Sequence, residues 1–301
     1  MGKVTKVALT GGTGMVGRHL KALLDSKGIE YVDINRSHWD LVNWKTADEI
    51  DSLLGNVDAL LHVGAAVPSP LHSLTSQTLF DANVRVCVAM SEWAVYKKVP
   101  IVYLSGATVY KDPHSRNICE DDEKTTNNFG GFYGFTKYLA EQVFNHYAHN
   151  GLQVIILRPT SIYGAGMGVG KLVTDFLERA KNNEIIEVQP PYDNAVNFIH
   201  AVDVASAILQ SLKSQAWGTY NISSSENSTI EQLARSCVAQ AGAGKVELII
   251  NDEHEVNAPF LRFDLNCHRA LVSFGYASRV PLDTGIKLLS DEKFLYENQI
   301  K

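Results

Sequence analysis

The segment Tyr133-Gly-Phe-Thr-Lys137 carries a phenol and an amine four residues apart, a spacing that puts both on one face of a helix, one turn from each other. A phenol, with an ordinary pKa of about 10, is a sluggish acid or base at neutral pH. A neighbouring ammonium, or the positive ring of an oxidised nicotinamide, favours the phenolate and lowers that value. So tuned, Tyr133 could exchange a proton with a substrate hydroxyl or carbonyl while a hydride passes to or from a cofactor. Taken alone, the two residues read equally as a packed ring beside a solvated charge. A second motif supplies the partner: Lys6-Val-Ala-Leu-Thr-Gly11-Gly-Thr-Gly14-Met15-Val16-Gly17 is an apolar run that ends in glycines. Backbone free of Cβ atoms can turn tightly off a strand there and bring a pyrophosphate against the first amides of a helix. A bound dinucleotide is the expectation.

Such residues need a rigid frame. Apolar runs at 7–9, 31–34, 59–63, 101–104 and 154–157 read as strands, each followed by a loop and a helix-patterned stretch. That alternation specifies an α/β fold of the Rossmann type, a doubly wound parallel sheet with its ligand crevice at the carboxyl ends of the strands. From Gly164 the pattern loosens: glycines at 164, 166, 168 and 170 precede a helix over 172–181, then Pro190-Pro191, a helix over 202–213, a strand over 219–222 and a helix over 229–241. The expected organisation is a dinucleotide-binding domain over 1–164, to which 197–213 returns, and a smaller C-terminal α/β substrate lobe over 165–301.

A chain of 301 residues, 45% hydrophobic and 20% charged with a net charge of −6, can bury a sizeable core and shows neither a basic face for nucleic acid nor a disordered tail. The expected partner is a small molecule. The four cysteines, at 87, 119, 237 and 267, form no CxxC pair, and Met1-Gly2-Lys3 runs into the first strand without a secretory leader; free thiols in a reducing cytoplasm fit this pattern. Apolar stretches are strand-sized, so no membrane span is expected. The ten histidines show no metal-ligand spacing, so no metal site is expected either.

Together these features resemble the extended short-chain dehydrogenase/reductase superfamily, in particular its NAD(P)-dependent nucleotide-sugar epimerase/dehydratase branch. The resemblance rests on Thr10 to Gly17, His62-Val-Gly64-Ala65-Ala66, Asn83-Val84, Ser105-Gly-Ala-Thr-Val109-Tyr110, Tyr133 to Lys137, Leu157-Arg-Pro-Thr-Ser-Ile-Tyr163-Gly164 and Asn197-Phe-Ile-His-Ala-Val-Asp203-Val204-Ala205, in the family's order along nearly the whole chain. It implies that Gly11, Gly14, Met15, Val16 and Gly17 hold the pyrophosphate and that Asp40 and Leu41 contact adenine. Gly64, Ala65, Ala66 and Asn83 would line the cofactor, Lys137 would also hold the nicotinamide ribose, and Pro159 and Ser161 would lie by the carboxamide. Pro68, Thr108, Tyr163, Asn197 and Arg262 are the implied substrate contacts. In this family the helix over about 81–97 and the helix of Tyr133 commonly form a dimer seam, so Trp93, Tyr96, Phe144 and Tyr147 serve either a homodimer or the core.

Several positions depart from the pattern. Where an acid would hold the ribose of NAD, eighteen residues beyond Gly17, stands Asn35, followed by Arg36 and Ser37. A guanidinium pairs with a 2′-phosphate that a carboxylate repels, so NADP(H) is expected ahead of NAD, with Asp33 aimed elsewhere by strand alternation. The position of the family's catalytic serine or threonine is Gly106, which leaves Thr108 or Ser105 to bind the reacting oxygen; one lost donor of this kind costs on the order of a hundredfold in rate. Ala107 and Thr108 replace the dehydratase Asp-Glu pair, which argues against 4,6-dehydration. Val196 replaces the phosphate-binding arginine. A pyrophosphate buried without cations is costly, and Lys171, Arg179 or Arg262 are the available substitutes. The expected function is that of an NAD(P)-dependent epimerase or reductase of a nucleotide sugar, working at a secondary alcohol or ketone through Tyr133. Two other readings stay open: a reductase of a small aldehyde or ketone without a nucleotide, and a cofactor-binding scaffold or sensor whose Gly106 has cost it turnover.

Overall fold

The computed structural model describes residues 4–68, 74–112, 115–124, 130–168, 170–192, 194–249 and 264–290. The first half runs β1 (Lys6–Thr10), α1 (Met15–Ser26), β2 (Glu30–Ile34), α2 (Ala47–Leu54), β3 (Ala59–His62), α3 (Ser76–Phe80), a π-helical turn (Asp81–Arg85), α4 (Val86–Lys97), β4 (Ile101–Leu104), a 3₁₀ turn (Ala107–Val109) and α5 (Gly131–His149). There follow β5 (Val154–Pro159), β6 (Ser161–Tyr163), α6 (Leu172–Lys181), β7 (Ile185–Val188), β8 (Ala195–Val196), β9 (Phe198–His200) and α7 (Ala201–Lys213). The chain continues through β10 (Gly218–Ile222), β11 (Ser228–Thr229), α8 (Ile230–Ala241), β12 (Lys245–Leu248), α9 (His268–Phe274) and α10 (Leu282–Ser290).

Six strands form one sheet in the order β10-β5-β4-β3-β1-β2, every neighbouring pair parallel. Its central strands are buried along their whole length, as in Ala-Leu-Leu-His of β3 and Ile-Val-Tyr-Leu of β4, because helices cover both faces. Alternation divides each strand between two cores. Val7 and Leu9 of β1 pack with Leu20 and Leu24 of α1 and Val204, Ile208 and Leu212 of α7. Ala8 packs with Ile50 of α2, Met90 and Trp93 of α4, and Phe144 of α5. Trp93 and Phe144 are thus core residues, whereas Tyr96 is 75% exposed.

Two features differ from the sequence reading. The return to the main sheet does not stop at 213: it runs on through β10, which pairs with β5 from Gly218↔Ile155 to Ile222↔Pro159 and supplies a sixth strand. The helix expected over 81–97 instead begins at Ser76 and widens into a π turn at Asp81–Arg85, a local distortion common at functional sites. The smaller lobe has a separate core of Val173, Phe176 and Leu177 from α6, Ile186 and Val188 from β7, and Leu233 and Cys237 from α8. Among the described residues no helix is long and apolar enough to cross a membrane.

Candidate active site

β1 ends in a turn that only glycines can make at two places. Gly11 has φ 76°, and a Cβ there would lie 2.6 Å from the backbone of Gly64; a Cβ on Gly17 would lie 2.7 Å from Gly12 Cα. The turn is closed by Gly14 N donating to Gly11 O at 2.9 Å. Gly14 is the N-cap of α1, with no side-chain cap and no acid in the first turn. The leading amides of α1 and the positive end of its dipole are therefore left without a side-chain cap, and a dinucleotide pyrophosphate fits that place. β3 meets the turn backbone to backbone. Gly64 N donates to Thr10 Oγ1 at 3.2 Å, and Thr10 Oγ1 lies 2.8 Å from His62 Nδ1. Past Ala65, Ala66 is clamped from the π turn: its amide donates to Asn83 Oδ1 at 2.7 Å and its carbonyl accepts from Asn83 Nδ2 at 3.0 Å. Asn83 Nδ2 also donates to Thr136 Oγ1 at 3.1 Å. Its amide group is therefore engaged in shaping the wall of the crevice.

At the end of β2, Asn35 Oδ1 accepts from Ser37 N at 2.9 Å and Ser37 Oγ at 2.6 Å. This turn presents Arg36 and Ser37 to solvent. Asp33 does not point away as expected: a Cβ on Gly12 would meet its Cγ at 2.7 Å, and its other oxygen pairs with Lys21 Nζ at 2.8 Å. Positions 33 and 35 are two apart and so share a strand face. Beside them, Asp40 Oδ1 accepts from Val42 N at 3.3 Å, and Leu41 Cδ1 lies 3.2 Å from where a Cβ on Gly64 would stand.

α5 carries Tyr133 and Lys137 at the carboxyl ends of these strands. Lys137 is 2% exposed. Its Nζ donates to Leu104 O at 2.7 Å and stands 4.5 Å from the centre of the Tyr103 ring, while burial pulls its pKa down to about 8. Tyr133 is half-buried. Burial pushes its phenol up to about 12, opposite to the expected lowering, because desolvation disfavours the phenolate. The tyrosine therefore keeps its proton at neutral pH.

The two candidate hydroxyls part company. Ser105 is buried and donates to Glu141 Oε1 at 2.5 Å; Glu141 in turn accepts from Arg158 Nε at 3.0 Å and Nη2 at 2.6 Å. This network turns the Ser105 hydroxyl into the core and engages its proton. Thr108 sits in the 3₁₀ turn, and a Cβ on Gly106 would lie 3.5 Å from its Oγ1. Its oxygen thus borders the space into which the family's side chain would project.

On the substrate side, Asn197 is committed within the protein. Its Oδ1 accepts from Thr160 Oγ1 and Ser224 N, while its Nδ2 donates to Ser224 O, Glu226 O and Asn227 Oδ1. Tyr163 is fully buried in the smaller lobe's core, against Gly285, with its hydroxyl 3.4 Å from Leu282 O. Neither side chain has a polar group to spare for a ligand. Arg179 donates to Ile185 O at 2.7 Å and faces Glu184 at 3.7 Å, so it is occupied on the lobe's own surface. Lys171 directly precedes α6. Pro68 is exposed beyond Ala66, Pro159 and Ser161 sit where β5 gives way to β6, and Arg262 lies outside the described residues. Three residues that sequence reasoning passed over prove central: Tyr103 beneath Lys137, and the pair Glu141 and Arg158. The one available signal was Glu141, four residues beyond Lys137 on the same helix.

Comparison with known proteins agrees with this geometry. Uncharacterized protein y4nG of Sinorhizobium fredii is 28% identical over 256 residues, which cover 81% of this chain and 63% of that protein. The dTDP-4-dehydro-6-deoxy-D-allose reductase of Streptomyces bikiniensis is 24% identical over 314 residues, covering 93% of this chain and 94% of the relative. The crystal structure of UDP-N-acetylglucosamine 4-epimerase from Bacillus cereus shares the fold with a TM-score of 0.80 at 20% identity, over 96% of this chain and 97% of the other. The sequence profile of the NAD dependent epimerase/dehydratase family matches residues 7–223, and the chain belongs to that family.

Proposed function

We propose that the chain is an NADP(H)-preferring oxidoreductase or epimerase acting at a secondary alcohol or ketone of a nucleotide sugar. One observation carries the reading: Lys137, one helical turn from Tyr133, is tied to Leu104 O at the carboxyl end of β4, at the same end of the sheet as the glycine turn after β1. A bound nicotinamide would supply or accept the hydride. The chain's own residues handle the proton. In reduction Tyr133 gives its proton to the carbonyl oxygen as the carbon gains hydride; in oxidation its phenolate takes the hydroxyl proton as hydride leaves. Lys137 balances the phenolate charge, and the Thr108 hydroxyl steadies the oxygen. Incubation with nucleotide-sugar ketones and NADPH, and with nucleotide sugars and oxidised cofactor, tests this. Loss of NADPH absorbance marks a reductase, product without net cofactor consumption marks an epimerase, and neither outcome across the panel overturns the reading.

Arg36 and Ser37 support NADP(H) against the Asp33 carboxylate beside the glycine turn, whose charge Lys21 offsets. Because a charge-assisted hydrogen bond is worth about 1.5–3 kcal/mol, Arg36→Glu should raise the Kd of NADPH by about tenfold to hundredfold and leave NADH nearly unchanged, as read by nucleotide fluorescence. An equal change for both would remove Arg36 from the 2′-phosphate site.

Thr108→Val should lower kcat by about a hundredfold. Gly106 has φ −176° and an added Cβ would meet only ordinary contacts, so Gly106→Ser should fold normally and restore a hydroxyl. In that background Thr108→Val should cost far less. Equal losses in both backgrounds would show that the two positions do not serve the same oxygen.

A second reading draws on Val196, which packs against the smaller lobe's core where relatives of this type would carry an arginine. It favours a small ketone or aldehyde without a diphosphate. Thermal stabilisation by UDP or dTDP supports the first reading; turnover of a small ketone with no such stabilisation supports the second. The exposed Tyr96 on α4 suits a homodimer, for which sedimentation should give twice 33.1 kDa. The four free thiols suit a cytoplasmic setting.

A further inference from the structure

We propose that Tyr103 is a positioning residue for Lys137: the face of its ring, together with the Leu104 carbonyl, keeps the ammonium charged without pairing it to an anion. The inference rests on the role proposed above for Lys137. The ring centre is 4.5 Å from Nζ, inside the about 6 Å over which an aromatic quadrupole attracts a cation, and both side chains are almost completely buried. Both holding groups are neutral, so the positive charge is stabilised but not cancelled. A carboxylate in their place would also hold the amine charged, yet would offset its pull on the Tyr133 phenolate.

The surroundings preserve that arrangement. Cys87 from α4 and His62 from β3 face Lys137. Burial pushes the Cys87 thiol up to about 12 and pulls His62 down to about 3, so neither is charged near neutrality. Tyr133 lies close to the same ring. Glu141, four residues on along α5, stands at the spacing from which a helix ordinarily pairs acid with lysine. It is instead bonded to Arg158 and Ser105 and acts on Lys137 only through its charge, which raises the lysine's pKa without a contact. The Tyr103 hydroxyl is itself buried with no hydrogen-bond partner among the described residues, which makes the ring, and not the oxygen, the part that Lys137 uses.

The test is the titration of Lys137 in the full chain labelled with ¹³C at lysine Cε, the resonance being assigned by its loss in Lys137→Met. In the unaltered protein it should titrate at about 8. Tyr103→Leu should move the midpoint down by about 1 pH unit, since the neutral amine gains when the ring face is lost, whereas Tyr103→Phe should leave it in place. Mono-, di- and trifluorophenylalanine at position 103 keep the shape while draining the quadrupole, and should lower the midpoint stepwise. The alkaline limb of kcat should follow in the same order, with Tyr103→Leu about twofold slower at pH 7 and about tenfold slower at pH 9. A flat fluorine series, or an unmoved midpoint in folded Tyr103→Leu, overturns the proposal. If no substrate is turned over while the midpoint still tracks the ring series, the functional reading fails and the ring's role stands.

Discussion

Tyr133→Phe is expected to lower kcat by about 10²- to 10⁴-fold while the Kd for NADP(H) stays within about twofold. The substitution removes one oxygen and leaves the ring. Tyr133 is only half-buried on α5. What disappears is the proton itself: with the phenol held up to about 12 by burial, Tyr133 is protonated when a carbonyl arrives, and phenylalanine has nothing to give. The pH dependence of the unaltered chain should carry the matching signature. Lys137 is charged below its pKa of about 8, so the ammonium that stabilises the phenolate is lost as pH rises through that value, and kcat should fall on the alkaline side. Single-turnover kinetics with prebound cofactor would separate this loss from binding. A rate in Tyr133→Phe equal to that of the parent would mean that the proton travels by another path.

Arg158→Met should destabilise the fold by about 3–5 kcal/mol, the range for stranding one member of a buried ion pair. Glu141 has no exposed side-chain surface and Arg158 almost none. Besides gripping Glu141 with two nitrogens, Arg158 donates through Nη1 to Tyr110 Oη at 2.9 Å and to Glu120 O at 2.8 Å. Removing it leaves a carboxylate in an apolar interior with the Ser105 hydroxyl as its remaining partner. Replacing both residues, Arg158→Met with Glu141→Leu, should recover much of the loss because no charge is then left unpaired. Urea denaturation of the three proteins measures the difference; a single variant no less stable than the double would place the energy elsewhere. The pair also joins α5 to β5, and so fixes where the helix presents Tyr133 and Lys137.

What the sequence made legible was local. Gly17 is required by backbone five and six residues before it and Gly11 by its own positive φ, although its nearest neighbour is the distant Gly64, and Tyr133 and Lys137 share a face through helical periodicity alone. The apolar runs of the first five sheet strands likewise announce themselves, since strands covered on both faces read as continuous hydrophobic stretches. Distant partners decided the rest. Ser105 is drawn inward by a carboxylate 36 positions away, and Asn197 is consumed by groups at 160 and at 224–227. The rise of the Tyr133 pKa reflects burial that no dipeptide reveals. β10 joins the main sheet through pairing with β5 across some sixty intervening positions, and the π turn has no compositional mark. Asp33 was within reach, because counting by twos from Asn35 places it on the same side, toward the glycine turn.

The pairing of β10 with β5 and the packing of α7 against α1 also constrain how such a chain can diversify. The polypeptide weaves out of the nucleotide-holding layer, back into it and out again. No single cleavage point therefore yields two self-sufficient halves: a fragment ending at 164 would leave one flank of β5 without its neighbour and the apolar side of α1 uncovered. New specificities cannot arrive by exchanging the smaller lobe as a cassette. A successful graft would have to import two discontinuous stretches at once, with the segment 224–227 keeping its bonds to the Asn197 side chain, which Thr160 ties to the frame.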